Sequence, residues 1–248
     1  KAVNDTNRTP YKFKGQLNGK ILLNNVYKNI LLESDIVVKN FSLLGSEFGN
    51  VSVSSDLDIA SKIVKISASN NLAGVKMFDM KGTYDPSLKK IDLTAIATRL
   101  TIDALNPLLR FFASGISGYA SGKINLSGPT DNLILRGAVM AENASMKIDY
   151  LQTRFRLNDT IRFDREGIKF NNVRLTDEKG NPALLSGSIK HKNLKNYTAD
   201  IIINIVNPGG CLVLNTKPKD NKLFYGTAYS SGVTTIKSGP NSVTFDIS

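Results

Sequence analysis

Apolar and charged residues alternate strictly through much of the chain, as in Met146-Lys147-Ile148-Asp149-Tyr150, Arg154-Phe155-Arg156-Leu157, Ile161-Arg162-Phe163-Asp164, Ile168-Lys169-Phe170 and Val173-Arg174-Leu175. A period of two belongs to a β-strand with one dry face, because successive side chains point to opposite sides. The alternation sets Arg154, Arg156, Arg162, Lys169 and Arg174 on one surface and the aliphatic and aromatic residues on the other. Strands of about five to seven residues are predicted between polar breaks. Those breaks are Asn24-Asn25, Asn70-Asn71, Asn158-Asp159, Asn171-Asn172 and Lys179-Gly180-Asn181-Pro182. The chain reads as almost all-β, a meander of antiparallel hairpins. One segment departs from the pattern. Asn106-Pro107-Leu108-Leu109-Arg110-Phe111-Phe112-Ala113-Ser114-Gly115 has a capping Asn, Pro at the first helical position and a terminal Gly. It predicts a short amphipathic helix near 107–114.

An internal repeat organises the strands. Gly15-Gln16-Leu17-Asn18-Gly19-Lys20-Ile21 returns as Gly118-Tyr119-Ala120-Ser121-Gly122-Lys123-Ile124, and Gly82-Thr83-Tyr84 returns as Gly187-Ser188-Ile189. Asn106-Pro107 has a counterpart in Asn207-Pro208, and Gly226…Ser231-Gly232…Gly239-Pro240 echoes Gly118…Ser121-Gly122…Gly128-Pro129. This predicts modules of about a hundred residues. The first covers 1–101, the second 102–206 with its helix, and 207–248 opens a third that stops inside the strand-like run Val243–Ile247. Stacked repeats normally end in a polar cap, so a longer parent protein is expected.

Composition narrows the function classes. The 248 residues are 41% hydrophobic and 21% charged, which is enough apolar material to fold. No stretch approaches the roughly 18 apolar residues of a membrane helix. The opening Lys1-Ala2-Val3-Asn4-Asp5 lacks a signal-peptide profile, so any targeting segment is expected to have been removed or to lie outside this chain. The single cysteine, Cys211, forbids an intrachain disulfide and reads as a buried apolar side chain. The net charge of +11 favours acidic partners, but the alternation spreads it over a solvated face. Nucleic-acid binding needs basic residues interleaved with exposed aromatics, whereas here they fall on opposite faces.

The catalytic census is sparse. Gly118…Gly122-Lys123 and Gly15…Gly19-Lys20 have three residues between the glycines, and Ile follows the lysine, so neither is a phosphate loop. They read as glycine-flanked turns before strands. His191, the only histidine, lies in Lys190-His191-Lys192 and reads as a solvated loop residue with no triad partners. The carboxylate pairs Asp56/Asp58 and Asp177-Glu178 share a face or a turn, unlike the facing groups glycoside hydrolysis needs. No enzymatic activity, metal or cofactor is expected. A membrane-spanning barrel is also disfavoured, because Trp is absent and the expected strands are too short.

Two groups of residues carry a family resemblance. The helical segment, Gly115-Ile116-Ser117-Gly118-Tyr119-Ala120-Ser121-Gly122, a strand, Ser127-Gly128-Pro129 and a further strand form the first. The tail segments Leu212-Val213-Leu214-Asn215-Thr216, Asp220-Asn221-Lys222-Leu223-Phe224-Tyr225-Gly226-Thr227-Ala228-Tyr229 and Gly232…Ser238-Gly239-Pro240 form the second. Over about 102–248 the chain resembles the AsmA-like and TamB families of bacterial envelope proteins. The resemblance implies a periplasmic segment of an inner-membrane-anchored protein, built as a β-taco, an elongated curled sheet with an open hydrophobic trough. It implies phospholipid, or another acyl-chain ligand, moving toward the outer membrane, and an outer-membrane barrel partner of the assembly-module type. Membrane association would come only through parts absent from this chain, and no nucleic acid is implied.

Physical chemistry makes that expectation concrete. An acyl chain in water costs about 0.8 kcal/mol per methylene, on the order of 12 kcal/mol for sixteen carbons, and an apolar trough removes most of that. A dozen strands at about 4.8 Å would give roughly 60 Å of trough. The alternation assigns Ile124, Leu126, Leu133, Leu135, Met146, Ile148, Tyr150, Phe155, Leu157, Ile161, Phe163, Ile168, Phe170, Val173 and Leu175 to its lining. The same residues could instead close on a second layer as an ordinary sandwich core. A structural β scaffold that binds partner proteins by strand addition, without lipid, is the alternative from another class.

Overall fold

A computed structural model of the chain describes residues 12–24, 31–43, 45–106, 113–192, 195–220, 225–239 and 243–247. Alternation produces strands almost throughout. They are β1 (Phe13–Asn24), β2 (Leu31–Leu43), β3 (Ser46–Asp58), β4 (Ile63–Asn71), β5 (Phe78–Asp85), β6 (Lys90–Thr101), β7 (Ala113–Pro129) and β8 (Ile134–Ile148). After them come β9 (Thr153–Asp164), β10 (Gly167–Asp177), β11 (Pro182–Lys192), β12 (Lys195–Ile205), β13 (Cys211–Thr216), β14 (Gly226–Ser230), β15 (Gly232–Ser238) and β16 (Val243–Ile247). One large antiparallel sheet takes β1 through β12 in chain order and then β15 and β16, while β13 and β14 pair separately. Short connections let most strands pair with their predecessors as hairpins, while β15 pairs with β12 across the β13–β14 insertion.

The chain divides into two compact units, Lys1–Leu100 with Ser121–Gly137, and Thr101–Ala120 with Ala138–Ser248. This division differs from the consecutive segments 1–101, 102–206 and 207–248 in sending Ser121–Gly137 to the first unit. Within the second unit, β15 of the last segment pairs with β12, so that Ile201 stands opposite Ile236 and Ile203 opposite Thr234.

The strands are longer than the sequence pattern predicts. β1 has 12 residues, β2 and β3 have 13 each, β8 has 15 and β7 has 17. The argument against a membrane barrel from short strands therefore does not hold. The physical reason is that polar pairs expected to end strands are absorbed inside them. Asn158-Asp159 lies within β9, and Asn171-Asn172 lies within β10. At the latter, the register runs from Phe170 opposite Gly187 to Val173 opposite Leu185, three steps against two. That extra residue is a β-bulge. Asn172 takes φ 50°, its N–H donates to Ser186 Oγ at 3.1 Å, and Ser186 Oγ donates to Asn172 Oδ1 at 3.0 Å.

The same device recurs. Asn40, Arg99 and Asn143 have φ of 50°, 49° and 49°, and their N–H groups donate to Asn50 Oδ1, Ser121 Oγ and Asn158 Oδ1. A left-handed residue is cheapest when its N–H, turned out of the ladder, finds a side chain on the next strand.

The expectation for the glycine pairs is corrected, and the expected helix falls mostly outside the described residues. Gly15/Gly19 and Gly118/Gly122 lie inside β1 and β7 and form no turn before a strand. A Cβ on Gly19 would stand 2.1 Å from Asp35 O, so glycine is required there by close strand approach. In the expected helix, 107–112 lie outside the described residues, as do Asn25, 221–224 and Pro240. Ala113, Ser114 and Gly115 belong to β7, and a 3-10 turn occupies Asp103–Leu105. Asn106, expected as a helix cap, ties that turn to β7. Its Nδ2 donates to Asp103 O and Ile116 O, and its Oδ1 accepts from Ile116 N, each at 2.8 Å.

Candidate functional site

In the first unit, registers place apolar side chains in rows across one face. Val53, Ala68, Met80 and Ala95 stand side by side, as do Leu57, Val64, Tyr84 and Ile91. The opposite face carries Ser54, Ser67 and Lys81 in one row and Asp56, Lys65, Thr83 and Asp92 in another. Sheet alternation thus separates the two chemistries. Of the described hydrophobic residues on this face, Phe48, Val51, Val64 and Ala68 are buried, while Ile36, Val38, Val53, Ile66, Met80 and Leu93 remain half-buried. Polar groups on this face are paired. Ser34 and Ser55 share a 2.9 Å hydroxyl bond, and buried Asn70 binds Phe48 O and the N–H groups of Met77 and Phe78. Ile124, Leu126, Leu133 and Leu135 belong to this unit and are half-buried. Asn125, next to Ile124, points the other way and donates to Asp92 Oδ1 at 2.7 Å.

In the second unit the apolar rows are Phe163–Ile168–Ile189–Ala199, Phe170–Gly187–Ile201–Ile236 and Leu157–Leu175–Ala183. The bulge at Asn171-Asn172 keeps Ile168 and Phe170 on the same side as Val173 and Leu175, since one extra residue restores the parity. A closed cluster forms from Leu175, Ala183, Ile201, Ile203, Ile205 and Cys211, with Phe155, Leu157, Phe170 and Val213 packed against it. Val173 and Leu175 are 1% and 7% exposed, so their side chains belong to a dry core. Met146, Ile148, Ile161, Phe163 and Ile168 are half-buried. Tyr150 is exposed in the turn after β8, past the strand in which the alternation placed it.

The cover over this core is the β13–β14 hairpin, which alternation did not reveal. Leu212 is 2% exposed and Cys211 fully buried. Asp177, fully buried at the end of β10, anchors it: Leu212 N–H donates to Asp177 Oδ2 at 2.8 Å. The same carboxylate accepts from Lys179 N–H, Asn181 N–H and Asn181 Nδ2, at 2.9, 2.8 and 2.8 Å. Burial pulls its pKa upward, but these donors, Leu212 N–H foremost, outweigh it and hold the carboxyl below its ordinary value. Asn215 N–H donates to Leu151 O, and Lys179 Nζ bonds Tyr229 OH and lies 4.9 Å over its ring. The turn Asp177-Glu178-Lys179-Gly180-Asn181 was legible as a turn, but the bond to a residue 35 positions onward was not.

His191 lies on β11, half-buried, with its ring edge-on to Tyr197 at 6.0 Å, and is not a solvated loop residue. Among the described residues no cluster of three His, Cys, Asp or Glu is placed to hold a metal ion, and no helix is long and apolar enough to cross a membrane. No protein-family model, curated protein or solved structure matches the chain.

Proposed function

We propose that the protein shields lipid acyl chains on its apolar sheet face, as a periplasmic segment of an inner-membrane-anchored bridge. In this role it carries phospholipid toward the outer membrane or assists assembly of outer-membrane barrel proteins, and it performs no chemistry. The observation that carries the reading is the first unit's apolar face. Ile36, Val53, Ile66, Met80 and Leu93 stand in adjoining rows and keep part of their surface open. An ordinary domain would bury such rows, because each methylene left in water costs about 0.8 kcal/mol. The resemblance of 102–248 to the AsmA-like and TamB families supports the same reading. The half-buried groove residues Ile124, Leu126, Leu133, Leu135, Met146, Ile148, Ile161, Phe163 and Ile168 are assigned to the lipid. Val173 and Leu175 serve the core.

The test is native mass spectrometry of protein purified without detergent, together with displacement of a fluorescent fatty acid. The wild type retains phospholipid, and Ile66→Asp/Met80→Asp loses it with an unchanged far-ultraviolet spectrum and a cooperative melt. Lipid-free wild type that takes up no fatty acid, or global unfolding of the variant, would sink the proposal.

A second reading rests on β1. Among the described residues it pairs with β2 alone, at the end of the sheet order, and exposes Phe13, Leu17 and Ile21 at 52%, 64% and 51%. An edge of this kind accepts a partner strand by main-chain pairing. Under this reading, Leu17→Pro abolishes partner capture while the Ile66→Asp/Met80→Asp protein still binds it.

A further inference from the structure

The polar face of the second unit has a concavity that the apolar-face reading leaves unused. A groove of about 960 Å³ crosses β7 to β11 on that side. Arg154, Arg156 and Arg174 line it with Ser117, Ser145 and Thr176, beside the apolar Leu184 and Val206, and no carboxylate is among its lining residues. Register explains the convergence. Leu157 pairs with Leu175 and Arg156 with Thr176, so all three arginines project from two adjacent strands to the side opposite the core. Arg154 and Arg156 are two residues apart, about 7 Å along the strand.

One arginine has a built seat. Arg154 Nη1 donates to Gly115 O at 3.0 Å and Ser145 Oγ at 2.9 Å. Its Nη2 lies where a side chain at Gly115 would begin, 2.7 Å from an ideal Cβ, and Gly115 has φ 56°. Only glycine fits there without strain or clash. The guanidinium is thus held in place before any ligand arrives, at little further entropic cost. Arg156 Nη1 reaches Glu178 O at 3.4 Å, a neutral acceptor. The acid nearest Arg174 is Asp159, 4.0 Å from its Nε, and that carboxylate already accepts the N–H groups of Arg174 and Thr160.

We infer that this groove binds a ligand carrying two or more phosphoryl groups, with Arg154 as the fixed contact and Arg156 and Arg174 closing on the remaining oxygens. Planar guanidiniums engage phosphoryl oxygens through paired N–H donors, and the hydroxyls supply neutral donors between them. Arg154 and Arg156 leave the strand about 7 Å apart, a separation that a chain of linked phosphoryl groups spans.

Calorimetry with inorganic tripolyphosphate tests this in the full chain, compared with flotation on vesicles containing cardiolipin, whose headgroup carries two phosphates, to separate a soluble source from a lipid headgroup. Wild type binds tripolyphosphate, and R154Q/R156Q weakens binding roughly tenfold or more. R154K, which keeps the charge but loses the paired donors, also weakens it and serves as the readout if the double variant melts early. The charge-matched control is K65Q/K81Q on the first unit's polar face, which leaves affinity within about twofold. Flotation lost in R154Q/R156Q assigns a headgroup source, and tripolyphosphate binding without flotation assigns a soluble one. No tripolyphosphate binding by wild type, full affinity in R154K, or equal weakening in K65Q/K81Q would overturn the inference, the last because it shows only diffuse attraction to a chain of net charge +11.

Discussion

Asp177 Oδ2 accepts the backbone N–H of Leu212 at 2.8 Å, and through that bond a carboxylate at the end of β10 holds the hairpin that covers the second unit's core. The pairing links a turn to a segment 35 residues later, so its loss is felt at both ends.

Asp177→Ala strands buried donors on Leu212 and Asn181 and is expected to cost about 2–4 kcal/mol, read as a lower urea midpoint. The folded-state pKa is depressed. The carboxylate's contribution is therefore complete above its ordinary value of 3.8 and is lost as pH falls through the lower folded value. The stability gap between wild type and variant stays constant from about pH 7 to pH 5 and narrows below about pH 4. A gap that persists unchanged at pH 2 would show that Asp177 contributes through packing alone.

At the bulge, Asn172→Val should cost about 1–2 kcal/mol, because a β-branched residue resists φ 50°, while Asn172→Gly is tolerated. Deleting Asn172 is far more damaging. It restores simple alternation and turns Val173, Leu175 and Asp177 away from the face of Ile168 and Phe170. Chemical denaturation of the three variants checks the order, and a stable deletion variant would refute the parity argument.

Cys211 is fully buried, and burial first, then the nearby Asp177 charge, pushes its thiol up to about 11. A disulfide reagent near pH 8 should leave it unlabelled in the native protein and label it fully in denaturant, because the thiolate is the reactive species. In Asp177→Ala, labelling of the folded protein should accelerate at least about tenfold as the hairpin opens more often. Equal rates in the two proteins would mean that Asp177 does not govern the cover.

Much of this architecture was legible residue by residue. Phe155, Leu157, Phe163, Ile168 and Phe170 fall on one face and Arg154, Arg156 and Arg174 on the other, because strand geometry converts a two-residue period directly into sidedness. The buried state of Cys211 also followed from its chemistry. Two of the polar pairs, Asn158-Asp159 and Asn171-Asn172, mislead. Asn171-Asn172 has the composition of a turn, and only the strand alongside, with Ser186 placed to accept the stray N–H, makes a bulge the better solution.

Sequence alone decided that this chain would be a meander of amphipathic strands, since alternation is a local property that each strand carries without its neighbours. Tertiary structure decided which apolar residues meet another layer. Val173 and Leu175 are sealed while Ile66 and Met80 stay partly open, a difference set by where the Asp177-anchored hairpin lands. It also decided that Arg154 would rest over Gly115 and share a groove with Arg174. Such outcomes depend on contacts between residues far apart in the chain, and no period along the sequence encodes them.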